Sequence, residues 1–253
     1  MTFAALPSRS SRGVLAGKRV LVIGVGGLGS AALLALADSG AHFVLCDDDQ
    51  VELHNLHRQT LFDESAVGAD KLDSTASALT RRGVPTRNLE LVRSRFLPEN
   101  ARELARSVDL VLEGADNFAT KFLAADTCYL ESRPIVHAAA VRFEGTVWCV
   151  TAAGRPCYRC LFEDIPGGAQ QGCSDAGVLG PVVALCGALQ AERALELLSG
   201  EDPGYGELVS FDGRRNRLRG VRIAPRADCP LCGEAPRITD IVESRYTAAV
   251  CAA

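Results

Sequence analysis

The stretch Arg19 to Asp49, RVLVIGVGGLGSAALLALADSGAHFVLCDDD, decides the fold. Val20 to Ile23 is a short β-branched and leucine run of the kind that forms a strand buried on both faces. Gly24, Gly26 and Gly29 then spell G-x-G-x-x-G, with Gly27 as a further glycine, and Ser30 to Ser39 supplies good helix formers. Backbone without Cβ turns tightly and lets a phosphate approach the helix N-terminus, where free N–H groups and the helix dipole favour an anion. A second apolar run, Phe43 to Cys46, ends in Asp47, Asp48 and Asp49. An acid at that strand tip is placed to hydrogen-bond ribose hydroxyls, so the stretch reads as a nucleotide-binding βαβ unit. Alone it leaves the nucleotide open, because a nicotinamide or flavin enzyme carries the same glycines and acid.

Working outward, the chain of 253 residues suits one sizeable α/β domain. A net charge of −4 offers no basic field for nucleic acid. No apolar run is long enough to span a bilayer, and MTFAALPSRSSR lacks the pattern of a secretion signal, so a cytoplasmic protein is expected. Residues 1–18 read as a flexible or loosely docked lead-in, 19–238 as the main domain, with a nucleotide-binding part over about 19–150 and a rear part over about 151–238, and 239–253 as a peripheral tail. Helices are expected at Ala69 to Arg82, Pro98 to Arg106, Phe118 to Glu131 and Val182 to Ser199; buried strands at Leu89 to Val92, Leu110 to Leu112 and Ile135 to Ala140. Thr146 to Thr151 alternates like an antiparallel strand, and Leu208 to Phe211 with Leu218 to Ile223 reads as a closing hairpin. The fold class is therefore α/β, a Rossmann-like, doubly wound and mainly parallel sheet extended by antiparallel strands.

Cys157-Tyr-Arg-Cys160 and Cys229-Pro-Leu-Cys232 are two C-x-x-C knuckles whose four sulfurs satisfy tetrahedral zinc; redox pairs and unligated core cysteines share parts of the pattern. Cys46, Cys128, Cys149 and Cys186 fall in apolar elements and read as small core residues. Arg58 and Lys71 are either surface charges or cations for a triphosphate, and no P-loop is present to supply such charges elsewhere. Asp116 is placed to hold magnesium or to cap the helix from Phe118.

Taken in order, Gly24-Val-Gly-Gly-Leu-Gly29, Asp47 to Asp49 leading into Asn55-Leu-His-Arg-Gln59, Gly68-x-x-Lys71, Asp116-Asn117, Cys157-Tyr-Arg-Cys160, Cys173 to Pro181 and the second cysteine pair resemble the ubiquitin-activating-enzyme-like adenylyltransferases, closest to the MoeB/ThiF/HesA group. The resemblance implies an enzyme that uses ATP and magnesium to adenylate the C-terminal glycine carboxylate of a ubiquitin-like sulfur carrier ending in Gly-Gly, with release of pyrophosphate. By motif, Gly24, Gly26, Gly27 and Gly29 form the nucleotide turn, with Gly27 against the phosphates. Asp47 and Asp49 form the acidic strand tip, with Asp47 on the ribose. Asn55, Arg58 and Lys71 reach the phosphates beside Gln59, and Asp116 beside Asn117 holds magnesium. Cys173 either attacks the acyl-adenylate or is a structural thiol. The rear part over about 151–238 is then the zinc and carrier-binding part. A zinc-bearing homodimer is implied, with a separate protein as persulfide donor. The family's N-terminal Arg-Tyr-x-Arg-Gln sequence, whose arginine reaches the partner subunit's site, has no counterpart here. The alternatives are a non-catalytic carrier-binding module of the same fold and an NAD-dependent oxidoreductase.

Overall fold

The computed structural model describes residues 12–166, 177–202, 204 and 206–246. The first strand, β1 (Arg19–Ile23), leads through α1 (Gly27–Leu36) to β2 (His42–Cys46), and the unit is repeated by α2 (Lys71–Arg81), β3 (Leu89–Val92), α3 (Pro98–Arg106), β4 (Leu110–Glu113), α4 (Phe118–Leu130) and β5 (Ile135–Val141). Then follow β6 (Glu144–Val150), the single turn α5 (Tyr158–Leu161), the long α6 (Gly180–Leu198) and the hairpin β7 (Glu207–Asp212) and β8 (Arg217–Arg222). They form one sheet in the order β3-β2-β1-β4-β5-β6-β7-β8. The pairings from β3 to β5 are parallel and those from β5 to β8 antiparallel.

Strand direction changes where the sequence changes character. Arg142 adopts φ 54°, the left-handed conformation that lets β5 return directly as β6. Helix starts follow side-chain caps: Asp70 accepts the Asp73 N–H, so α2 begins at Lys71, inside the span expected from periodicity. One core packs Leu33, Phe43, Leu112 and Val136 beneath α1 and α6; a second packs Val44, Val111, Phe122 and Trp148 on the opposite face.

Both ends are docked where they are described. Leu15 is fully buried and its N–H donates to the Ser39 carbonyl, so the end of the lead-in is docked. Tyr246 is 6% exposed and donates to Asp126 at 2.8 Å, which fastens the tail to α4 rather than leaving it peripheral. Cys173 lies outside the described residues.

The order 3-2-1-4 reverses the direction of winding between β1 and β4, and a crevice opens at their carboxyl ends. Helix α6 lies tight against α1 there: a Cβ at Gly187 would stand 2.6 Å from both the Ala31 Cβ and the Leu28 carbonyl oxygen. Gly187→Ala therefore pushes the two helices apart and should cost about 1–3 kcal/mol, read as a lower urea midpoint. An unchanged midpoint would mean that the helices are not in tight register.

Candidate functional site

The glycine turn bridges β1 and α1. Gly24 adopts φ 82°, and a Cβ at Gly29 would run into the Gly24 carbonyl oxygen. At Gly27 a Cβ would meet Val183 and Arg58. Gly26, the residue before α1, offers no side-chain cap, so the first N–H groups of the helix are left for an anion. Around this turn lies a cavity of about 430 Å³.

Most of the residues expected at the nucleotide site line this cavity: Gly24, Gly26, Gly27, Asp47, Asp49, Asn55, Arg58, Gln59, Lys71, Asp116 and Asn117. Gly29 instead sits beneath the turn. Asp47 has a second duty that the sequence did not reveal. Its carboxylate accepts the Val25 N–H at 2.8 Å and the Asp49 N–H at 2.9 Å, fixing the turn from the neighbouring strand. Burial pushes its pKa up against the pull of Lys71 and these N–H groups. Lys71, buried up to its head group, donates to the more exposed Asp49 at 2.7 Å. No carboxylate pairs with the half-buried Arg58 among the described residues. Asn117 Oδ1 accepts the Thr120 N–H and caps α4, which leaves Asp116 uncommitted and exposed at the cavity.

Sequence reasoning missed a charged cluster inside the same wall. Glu113, the last residue of β4, is fully buried and receives Lys121 at 2.9 Å and His137 Nδ1 at 3.0 Å. Burial pushes Glu113 up, but Lys121 and His137 outweigh it and hold the carboxyl below its ordinary range. His137 is lowered, chiefly by burial, and is neutral. A glutamate just past one apolar run and a histidine inside another were the available signals; read from sequence, the strand ends at Leu112 with Glu113 outside it, and His137 is only a strand residue.

The two cysteine knuckles meet. Sγ–Sγ distances are 3.9 Å for Cys157–Cys160, 3.5 Å for Cys157–Cys229 and 3.3 Å for Cys160–Cys232, and all four residues are buried. Tetrahedral zinc with bonds of about 2.3 Å sets sulfurs about 3.8 Å apart, so these four cysteines can hold zinc. Hydrogen bonding to Cys232 raises the Cys157 thiol, while the same contact draws Cys232 down to about 5. Nearby, Arg159 forks onto Asp126 with bonds of 2.8 and 2.9 Å, securing α5 to α4. Cys46, Cys149 and Cys186 are core thiols that burial raises to about 12, and burial raises the Cys128 thiol too. His54 and His57 pack against one another in an exposed loop, through His57 Nδ1 and the His54 carbonyl at 2.9 Å.

The ThiF family model matches residues 4–231. Over 235 residues the chain is 40% identical to the adenylyltransferase and sulfurtransferase MOCS3 of Danio rerio, covering 90% of this chain and 50% of that protein. The Bos taurus protein of the same name is 40% identical over 231 residues, again covering 90% and 50%. This chain thus spans about half the length of the curated relatives it matches. Among solved structures, Escherichia coli MccB superposes with a TM-score of 0.77 at 20% identity, covering 88% of this chain and 67% of that one. The fold is shared; MccB has also been solved with ATP, at a TM-score of 0.73 and 21% identity, covering 87% and 68%.

The cysteine geometry predicts about one zinc per chain by elemental analysis of protein purified without added metal. Cys160→Ser should lower the zinc content and the thermal midpoint together. Full stability with no bound metal would remove zinc from the fold.

Proposed function

Because the chain belongs to the ThiF family, we propose that it is an ATP-dependent adenylyltransferase. Its substrate in this reading is the C-terminal glycine carboxylate of a small ubiquitin-like sulfur carrier. The activity named for the MOCS3 relatives and the ATP in the MccB structure support the reading. The observation that carries it is the convergence of an uncapped helix N-terminus, Arg58, Lys71 and Asp116 on one cavity.

A carboxylate oxygen of the carrier attacks the α-phosphorus, a new P–O bond forms, and the bond to pyrophosphate breaks with its electron pair leaving on the pyrophosphate oxygen. Two anions must be brought together, so charge neutralisation and in-line positioning replace a general base. The α1 N-terminus with Arg58 receives phosphate oxygens, and Lys71, steadied by Asp49, adds the second cation. Asp47 presents what remains of its hydrogen-bonding capacity to the ribose while holding the turn. Asp116, exposed at the cavity and not used as a cap, would hold magnesium, which would supply positive charge against the phosphates.

The product is an acyl-adenylate for later sulfur transfer. In the same proposal the protein acts as a homodimer with a separate persulfide donor, and Cys173 is a candidate for the covalent step. No helix among the described residues is long and apolar enough to cross a membrane.

ATP–pyrophosphate exchange against a panel of ubiquitin-fold proteins ending in Gly-Gly tests the proposal. Exchange is expected with one of them, and Asp116→Ala should reduce it by at least about a hundredfold while zinc content is unchanged. Unimpaired exchange in that variant would remove Asp116 from the mechanism. Carrier binding without exchange in the parent protein would instead favour a non-catalytic binding module. Lys71→Ala should raise the KM for ATP and lower kcat, since it removes a cation from both the bound and the reacting phosphates.

A further inference from the structure

Arg58 lines the cavity with no carboxylate among the described residues to hold its head group. Lys71, by contrast, is steadied by Asp49 at 2.7 Å. An arginine that is free at its tip loses rotamer freedom when it grips a ligand, so a backbone and stem fixed in advance strengthen binding. For Arg58 that constraint has to come from packing.

Its loop joins β2 to α2 and carries only the short helical turns Leu53–Asn55 and Glu64–Ala66. The N–H groups of Arg58 and Gln59 both donate to the Asn55 carbonyl at 3.1 Å, which closes the turn without tying it to the sheet. Two helix starts close on it instead. A Cβ at Gly27, the first residue of α1, would stand 3.1 Å from the Arg58 carbonyl oxygen, 3.3 Å from its Cγ and 2.7 Å from Val183 Cγ1 in the first turn of α6. On the other side, a Cβ at Gly180, the first residue of α6, would run into the His57 carbonyl oxygen, with the Arg58 Cα 3.7 Å away. The φ of Gly180 is not positive, so the missing Cβ serves this close approach and not an unusual backbone conformation.

Of the two backbones in contact, α6 is the fixed one. Gly187 lies against α1, Gln190 Nε2 donates to the Glu113 and Val136 carbonyls at 2.9 and 2.7 Å, and the Leu179 N–H donates to the Arg142 carbonyl at 2.8 Å. His57 is exposed. A side chain at position 180 would therefore displace the peptide between His57 and Arg58, and no rotamer change could relieve a clash with backbone. We propose that Gly180 is a positioning residue for Arg58: it lets the start of α6 touch the His57 peptide and so sets where the guanidinium enters the cavity. Gly180 acts only through Arg58. The role rests on the adenylation reading above, in which Arg58 receives phosphate oxygens.

The full chain with magnesium is titrated with ATP by calorimetry, which reads binding without turnover. Gly180→Ala should weaken ATP about tenfold, the strength of one hydrogen bond to a charged group. Adenosine, which offers Arg58 no phosphate, should bind the parent and the variant alike. Arg58→Ala should weaken ATP by at least about tenfold, and adding Gly180→Ala to it should change the affinity by less than about twofold. Val183→Ala is a milder change that vacates the space beside the Arg58 stem. It should weaken ATP severalfold in the parent and not in Arg58→Ala, and it decides alone if Gly180→Ala does not fold. Parent-like ATP affinity in the single variants, losses that add in the double variants, or adenosine weakened as much as ATP would each overturn the positioning role. A parent chain that binds no ATP would overturn it together with the adenylation reading. Nucleotide binding that follows the expected pattern without carrier-dependent exchange would uphold Gly180 and remove adenylation alone.

Discussion

A buried carboxylate at the end of β4 governs the arrangement of the site. Glu113 has no exposed surface, and an ionised group there is tolerated only if its oxygens are fully engaged. Lys121 of α4 and His137 of β5 supply the side-chain partners, and the Ala115 N–H adds a bond of 2.6 Å. Lys121 also donates to the Ala138 carbonyl, while Gln190 of α6 bridges the carbonyls of Glu113 and Val136. The carboxylate thus ties β4 to α4, to β5 and to the Ala115 N–H of the following turn, and Gln190 ties the same backbone to α6. Asp116 follows in that turn, so the residue proposed to hold magnesium stands beside a network it does not join.

A second brace acts at the other end of the same sheet. Beyond β8 the only regular element among the described residues is the single turn Glu243–Arg245, so the second cysteine pair lies in an irregular segment. The four sulfurs supply a local centre, and Leu231 and Ile238 pack around it. Arg159, one residue before Cys160, then carries the knuckle onto Asp126, which also takes the Tyr246 hydroxyl. Here burial raises Asp126 and the guanidinium pulls it back. Removing Arg159 alone would strand that acid, and breaking a buried pair on one side is more damaging than never having built it.

How much of this was legible in the sequence depended on whether the signal was local. The glycine turn, the acids after β2 and the cysteine pairs carry their chemistry in spacing, and the structure places them together. Strand and helix positions followed from periodicity, with edges displaced where a cap such as Asp70 overrode it. Asp116 and Asn117 could not be told apart as caps from sequence, because both residue types favour the position; geometry gives the cap to Asn117. Glu113, His137 and Gln190 are far apart in sequence and meet only through strand order and the packing of α6. A polar residue inside an apolar run signals that a partner exists, and only the tertiary fold says which. The same limit hid the backbone role of Asp47 and the docking of Tyr246.

The charges around the cavity bear on the metal ion of the proposed reading. Lys121 is cancelled by Glu113, and His137 is neutral. What remains on the lining is Asp47, Asp49, Glu52 and Asp116 against Arg58 and Lys71, four carboxylates facing two cations. Lys71 is already paired with Asp49, so Arg58 and the α1 N-terminus are the principal attractions left for a triphosphate. Those cannot offset both the phosphate charge and that of an incoming carboxylate in a partly enclosed site, where repulsion is less screened than in water. In the proposed reading a divalent cation would reverse the account of the acids: Asp116 would hold the phosphates' counter-charge rather than repel them. The acidic excess is therefore consistent with anion chemistry, provided the anion arrives with its metal.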